Sequence, residues 1–248
     1  MVFIDVHCHL HYYDDKDISE MLRKSVEKKV SIIVDNGTNP SSNRKVLELS
    51  EKCNEVKCAL GIYPIEALKL KDDEIDEEIG FIKKNKKKII AIGEIGIDLK
   101  EELEFDRQKN IFKKFIELAR EIDKPLIVHS REAEEKCIEI LEEMKAKKVI
   151  MHCFSGKMKL AERIAKNSWY MSIPASVKYN EHFQKIVNLV PIENLLCETD
   201  SPYLHPEREQ NNDPSNVVES YKKIAEIKKL SLKETERIIE NNFKGLLS

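Results

Sequence analysis

Residues 2–10 read Val2-Phe3-Ile4-Asp5-Val6-His7-Cys8-His9-Leu10. An apolar run of the kind that forms a buried strand leads straight into Asp5, His7 and His9 at alternate positions. Successive side chains of an extended strand point to opposite faces, so these three share one face and Cys8 lies on the other. Two imidazoles at this spacing suit a metal ion, with the carboxylate as a ligand or as the partner of one. The same residues also suit the polar end of an ordinary strand, each ring making one hydrogen bond. The rest of the chain decides between the two.

Seven further runs of the same type follow: SIIVD (31–35), VKCAL (56–60), IIAIG (89–93), LIVHS (126–130), VIMHC (149–153), WYMSI (169–173) and LLCET (195–199). Short, continuous, β-branched or apolar runs are what buried parallel strands require. Segments with helical spacing separate them. Over 104–122, Phe105, Phe112, Phe115, Ile116, Ala119 and Ile122 make one apolar face, and over 132–145 Cys137, Ile138, Leu141 and Met144 make one stripe. Pro40, Pro125 and Pro214 mark boundaries. The tail predicts two helices, 214–229 and 231–246, the second capped by Ser231 with Glu234 completing a capping box. Eight strands alternating with helices in 248 residues predict an α/β fold, a (β/α)8 TIM barrel with extra C-terminal helices. An open doubly wound sheet is the alternative, but no GxGxxG follows the first strand. Without internal repeats or a linker, residues 1–248 read as a single domain.

Composition narrows the function classes. The chain is 41% hydrophobic and 35% charged, with a net charge of −3, which suits a globular protein and opposes non-specific wrapping of nucleic acid. No apolar run reaches membrane-span length and no secretory segment precedes the first strand, so the expectation is a cytoplasmic protein without membrane contact. The six cysteines form no CxxC pair and no disulfide-dense pattern.

In a barrel of this type the active site lies at the C-terminal ends of the strands. There the chain places His7 and His9, Gly61–Pro64, Glu94, His129-Ser130-Arg131, His152-Cys153-Phe154-Ser155-Gly156 and Glu198-Thr199-Asp200. Singly, Glu94 and Asp200 suit helix caps, and His129 and His152 suit core histidines. Four of the seven histidines with a Glu and an Asp at one rim point instead to a metal centre. His11, His182 and His205 end no strand and read as structural.

These stretches resemble the signatures of the TatD family of metal-dependent hydrolases, within the amidohydrolase-like barrels. They are DVHCHL (5–10), GEIGID (93–98), KPLIVHSREA (124–133), MHCFSG (151–156), ETDSPYL (198–204) and NDPSNV (212–217), in an order that spans essentially the whole chain. The resemblance implies a two-metal centre and a phosphodiesterase, typically a 3′–5′ exonuclease acting on DNA and in some members RNA. It implies that His7, His9, Glu94 and Asp200 hold one ion and that Glu94, His129 and His152 hold the other, with Glu94 bridging. Asp200 and Glu94 are then the catalytic candidates, Asp200 as acceptor of a proton from the attacking water. Asp5 is expected to hold a histidine ring in register. Nitrogen and oxygen donors suit Zn, Mn, Fe, Ni or Mg. The alternative function is hydrolysis of a carboxylic ester or cyclic amide on the same scaffold. The carbamylated lysine of many amide-hydrolysing relatives is missing, and Glu94 in its place favours the phosphodiester.

On the substrate side the expected partner is a nucleic-acid end or another phosphodiester, with no obligate protein partner. Many members of the family carry Gly-x-His-Pro where this chain has Gly61-Ile62-Tyr63-Pro64. Tyr63 therefore either positions a phosphate or leaving-group oxygen or packs on Pro64. FSGK (154–157) is expected to open a helix whose N–H groups, at Ser155 and Gly156, cradle phosphate, or else to be a plain helix cap. Arg131 suits a phosphate through its fork, or a rim salt bridge. Tyr203 suits stacking on a base, or packing beside Pro202.

Overall fold

The apolar runs become the staves of a barrel. The structure, a computed structural model, describes residues 2–100 and 103–248. Its strands are β1 (Phe3–Cys8), β2 (Val30–Asn36), β3 (Val56–Leu60), β4 (Ile89–Gly96), β5 (Leu126–His129), β6 (Val149–Met151), β7 (Tyr170–Pro174) and β8 (Leu195–Glu198). They pair in chain order, every pair parallel. Around them run α1 (Asp15–Glu27), α2 (Pro40–Lys52), α3 (Pro64–Leu68), α4 (Asp72–Lys84), α5 (Phe105–Ile122), α6 (Glu134–Glu143), α7 (Met158–Lys166) and α8 (Glu181–Leu189). After β8 come α9 (Val217–Lys228) and α10 (Leu232–Leu247). This is the expected (β/α)8 architecture with its additional C-terminal helices. No helix among the described residues is long and apolar enough to cross a membrane.

Strands with helices on their outer face and packed side chains inside are buried on both sides, which is why they read as unbroken apolar runs. The outer ring docks through apolar faces: α5 buries Phe112, Phe115, Ile116, Ala119 and Ile122 on the stripe expected for it. Local chemistry moves several boundaries. β4 continues past Gly93 to Gly96, so Glu94 lies within the strand. The helix expected over 132–145 shortens to α6 because Glu132, at φ 55°, is left-handed and cannot belong to it. In the tail, Pro214–Asn216 form a 3₁₀ turn before α9, and Lys229 ends that helix in the left-handed region. Ser231 caps α10, and both halves of its capping box with Glu234 are present.

The seam between β8 and β1 is bridged by a distinct set of bonds. Asp5, fully buried, accepts hydrogen bonds from Thr199 N at 3.0 Å, Thr199 Oγ1 at 2.5 Å and His7 N at 3.2 Å. Its carboxylate therefore ties strand to strand and holds no histidine ring; the expectation for Asp5 is corrected in that respect. Above it, Asp200 N donates to His7 O and His9 N to Ser201 O, each at 2.9 Å. Below it, the buried Tyr221 hydroxyl of α9 accepts from Ile4 N and donates to Ile4 O, at 3.1 and 3.3 Å. Burial pushes the Asp5 carboxyl well above the ordinary carboxylate range, and the bonds from Thr199 and His7 offset this only in part.

Asp5→Ala strands three donors inside the barrel and is expected to destabilise the fold by about 3 kcal/mol or more. Asp5→Asn keeps the shape and an acceptor oxygen and is expected to cost about 1 kcal/mol. Urea unfolding of the two variants beside the parent chain measures the difference.

Candidate metal centre

Each rim side chain owes its place to a strand end. His7 lies on β1 and His9 one residue past it; Glu94 lies on β4; His129 is the last residue of β5; His152 directly follows β6; Asp200 stands two residues beyond β8. Gly61 after β3 permits the close approach at Glu94, because a Cβ there would fall 2.6 Å from the Glu94 carbonyl oxygen. Asp200 takes a left-handed backbone, φ 54°, a strained state for a residue with a side chain. Its bond to His7 O and the turn bond from Tyr203 N to Asp200 O, 2.8 Å, hold it there.

The six candidates converge in two lobes around Glu94. Its Oε2 lies 3.7 Å from His7 Nε2 and 3.5 Å from His9 Nε2. Asp200 Oδ1 lies 3.5 and 3.6 Å from the same two nitrogens, which are 3.3 Å apart. Glu94 Oε1 faces the other way, 2.9 Å from His129 Nδ1 and 3.0 Å from His152 Nε2, themselves 3.2 Å apart. Two triads meet the spacing of a divalent-ion site, His7 with Glu94 and His152, and His7 with His9 and Asp200. Nitrogen and carboxylate lone pairs aimed at common points repel one another, and a divalent cation at each point is what such a donor set fits.

The histidines are oriented from behind. His9 Nδ1 donates to Asn36 O at 3.0 Å, turning Nε2 inward. His129 Nε2 lies 2.8 Å from Asp98 Oδ2. His152 Nδ1 stands 3.7 Å from Glu198 Oε2, and Ser172 Oγ donates to that same oxygen at 2.5 Å. His7 stacks on His152 with centroids 3.9 Å apart. Burial, reinforced by the charge on His152, holds the His7 imidazole well below the ordinary histidine range and keeps it a lone-pair donor. Burial alone would raise the Glu94 carboxyl, but the charge of His152 and hydrogen bonds from His129 and His152 hold it well below the usual carboxylate range.

The centre forms the floor of a cavity of about 770 Å³ that Tyr12, Tyr63, Arg131, Ser155 and Tyr203 also line. Tyr63 donates its hydroxyl to Asp98 Oδ2 at 2.8 Å and sets its ring edge-on to His129. Ser155 Oγ donates to Glu134 Oε1 at 3.1 Å. Gly156 does not line the cavity: it packs against Phe154 and Glu134, where a Cβ would meet Phe154 Cζ at 2.5 Å. α7 begins only at Met158 after its cap Lys157, so FSGK precedes the helix and does not open it. His11 stays outside the centre, its Nδ1 2.8 Å from Asp35 Oδ1. His182 and His205 also lie elsewhere, the latter accepting from Glu207 N. Asp98 and Glu198, both buried behind ring nitrogens, are the residues that sequence reasoning passed over. Both belong to motifs already singled out, GEIGID and ETDSPYL, as carboxylates beside a ligand candidate.

The family described as TatD related DNase matches residues 4–248. The chain belongs to the TatD family of metal-dependent hydrolases. It is 37% identical over 241 residues to an uncharacterized metal-dependent hydrolase of Methanocaldococcus jannaschii, covering 97% of this chain and 94% of that one. It is 31% identical over 252 residues to the human deoxyribonuclease TATDN3, covering 96% and 92%. The crystal structure of the TatD homologue YJJV of Escherichia coli superposes with a TM-score of 0.91 at 26% identity, over 98% and 97% of the two chains. Family and donor clusters together make this protein a metal-dependent hydrolase.

Because the two oxygens of Glu94 serve different lobes, Glu94→Ala is expected to reduce uptake from about two divalent ions per chain to well below one, whereas Asp200→Ala retains about one. Cys8→Ala should retain both, since Cys8 Sγ turns away to Val34 O at 3.4 Å. Elemental analysis after reconstitution and desalting measures all three.

Proposed function

We propose that this TatD protein is a phosphodiesterase that degrades nucleic acid from an end, as a 3′–5′ exonuclease on DNA and also on RNA. His7, His9, Glu94 and Asp200 hold one divalent ion in this reading, and Glu94, His129 and His152 hold the other. The observation that carries it is the single carboxylate, Glu94, whose two oxygens face separate donor clusters at the floor of one open cavity. When bound, two such ions supply the charge that activates water and stabilises an in-line displacement at phosphorus.

The chain's own residues do the rest. Asp200, with its side chain 15% exposed at the cavity floor, accepts the proton lost by the attacking water. Arg131 lines the cavity with a planar fork that suits the phosphate, while Ser155 lines it with its hydroxyl hydrogen turned to Glu134. Tyr12 and Tyr203 line the same cavity at 50% and 55% exposure, and they are the two aromatic members among the exposed large hydrophobic side chains described. Tyr12 lies flat against His9, at 23° and 5.1 Å between centroids, which fixes its ring. Such rings suit unpaired bases, since stacking needs a free base face. Residues 1–248 act as one domain in this reading. Six free cysteines fit a reducing compartment, the cytoplasm.

A panel of single-stranded DNA, RNA, duplex DNA, a carboxylic ester and a cyclic amide, offered to metal-reconstituted protein, tests the reading. Turnover of the phosphodiesters is expected; exclusive turnover of the ester or amide would replace it with the alternative chemistry. Asp200→Asn is expected to lower turnover at least tenfold, and by about 10²–10⁴-fold if proton acceptance is its whole role. Tyr12→Ala and Tyr203→Ala are each expected to raise KM for single strands by about 5- to 100-fold. Steady-state kinetics on a defined oligonucleotide separates the effects.

A further inference from the structure

We infer that Asp98 and Tyr63 form a relay that fixes the ring orientation and tautomer of His129, and that Tyr63 is a positioning residue of the metal centre, not a contact of the substrate. This rests on the reading of His129 as a ligand.

The relay starts from a carboxylate that cannot turn. Asp98 is fully buried just past the end of β4. Its backbone is clamped on both sides by one side chain: Asp98 N donates to Gln108 Oε1 at 2.8 Å, and Gln108 Nε2 donates to Asp98 O at 2.9 Å. Its Oδ1 accepts from Lys100 N at 2.9 Å, which leaves Oδ2 directed at the rim. There it meets His129 Nε2 and the Tyr63 hydroxyl, each at 2.8 Å.

Both Asp98 oxygens already act as acceptors, Oδ1 from Lys100 N and Oδ2 from the Tyr63 hydroxyl, so at 2.8 Å from Oδ2 it is His129 Nε2 that carries the hydrogen. Nδ1 is then the atom that faces Glu94 Oε1 and His152 Nε2, and a bound ion would take the place of its hydrogen there. Gly96 lets the two strand ends close in: at φ 143°, any Cβ on it would sit 1.9 Å from the His129 carbonyl oxygen. Ile97 N donates to that carbonyl at 3.1 Å, so the backbone of His129 is pinned as well as its ring.

Tyr63 completes the device from the third strand. Its backbone N–H is spent on Thr38 O at 2.8 Å and Pro64 follows it at the start of α3, so its ring enters the rim in one direction. The ring meets His129 edge-on, with centroids 5.0 Å apart and planes at 74°. Its single hydroxyl hydrogen goes to the oxygen that holds His129. A phenol has no second hydrogen with which to donate to a phosphate oxygen. What a side chain at this position can do here is keep the Asp98 oxygen, and through it His129, in place.

The relay predicts a loss confined to one ion. Asp98→Asn, whose amide can present N–H to Nε2 and so admit the wrong tautomer, is expected to weaken one of the two ions by about 10- to 100-fold. Tyr63→Phe is expected to weaken the same ion by about fivefold, the worth of one hydrogen bond. Calorimetric titration of metal-free protein with Mn²⁺ measures both, with circular dichroism to check the fold. A tautomer readout accompanies it. In ¹⁵N-histidine spectra, His129 should show a hydrogen on Nε2, protected from exchange by Asp98, in protein with and without Zn²⁺. That signal should weaken in Tyr63→Phe and be lost or moved to Nδ1 in Asp98→Asn. Should Tyr63→Phe raise KM for the oligonucleotide while ion affinity and the His129 signal stay unchanged, Tyr63 is a substrate contact and the relay is wrong. Parent protein that lacks the Nε2 hydrogen overturns the relay even with two ions bound. Parent protein that shows the hydrogen but takes up no second ion overturns the two-ion reading and leaves the tautomer assignment standing.

Discussion

The return of β8 to β1 depends on one buried carboxylate. Asp5 takes the Thr199 amide, the Thr199 hydroxyl and the His7 amide, and so spans the seam that the parallel ladder from β1 to β8 leaves to be closed. The consequence runs upward along the barrel. His7 and Asp200 belong to opposite sides of that seam and are joined by a backbone bond one step above it. A displaced seam would separate His7 and His9 from Asp200, because each pair of donors straddles it. Closure of the fold and assembly of one lobe of the metal centre are therefore the same event. The left-handed strain at Asp200, of order 1–3 kcal/mol for such a conformation, is tolerated where the surrounding bonds over-determine it.

Much of this was legible in sequence because burial on two faces writes a simple pattern. LIVH and VKCAL have no polar alternation to confuse a strand with a helix, and both appear within a residue of their expected ends. α10 announced its start through Ser231 and Glu234, which satisfy each other's backbone amides locally. Ends set by long-range geometry were less legible. Glu94 to Gly96 remain in β4 because Ile95 and Gly96 pair with Val128 and His129, a partnership no local propensity reveals. Glu132 looked helical by composition, yet its left-handed backbone delays α6.

The candidate centre divides along the same line. His7, His9, Glu94, His129, His152 and Asp200 could be gathered from sequence because a barrel presents its strand ends on one face, so position along each run was enough. Residues that act on them from behind could not. Tyr63 and Asp98 are 35 residues apart and meet only because β3 and β4 are neighbours. Asp5 sits in line with His7 and His9 on an ideal strand, but its carboxylate turns to the neighbouring chain segment. The register of β1 against β2 shifts between Asp5 and Cys8, so ideal alternation is a poor guide at that point. Gly156 was credited to a helix start that the chain delays to Met158.

Charge links the two halves of the functional reading. Glu94 stays ionised at the cavity floor, since His152 and His129 hold its carboxyl low, while burial keeps His7 from taking a proton. Beside Asp200, this gives a floor where carboxylate oxygens meet the uncharged His7 imidazole, with Arg131 as a guanidinium among the residues lining the cavity. The carboxylates of such a floor attract cations and repel phosphate. At contact distances the repulsion between two unit charges is about 4 kcal/mol even at an effective dielectric constant of 20. A nucleic-acid end could not rest on these donors alone. The donors that fit two divalent ions are thus also the reason a polyanion would need those ions in place, so the phosphodiester reading depends on the metal reading.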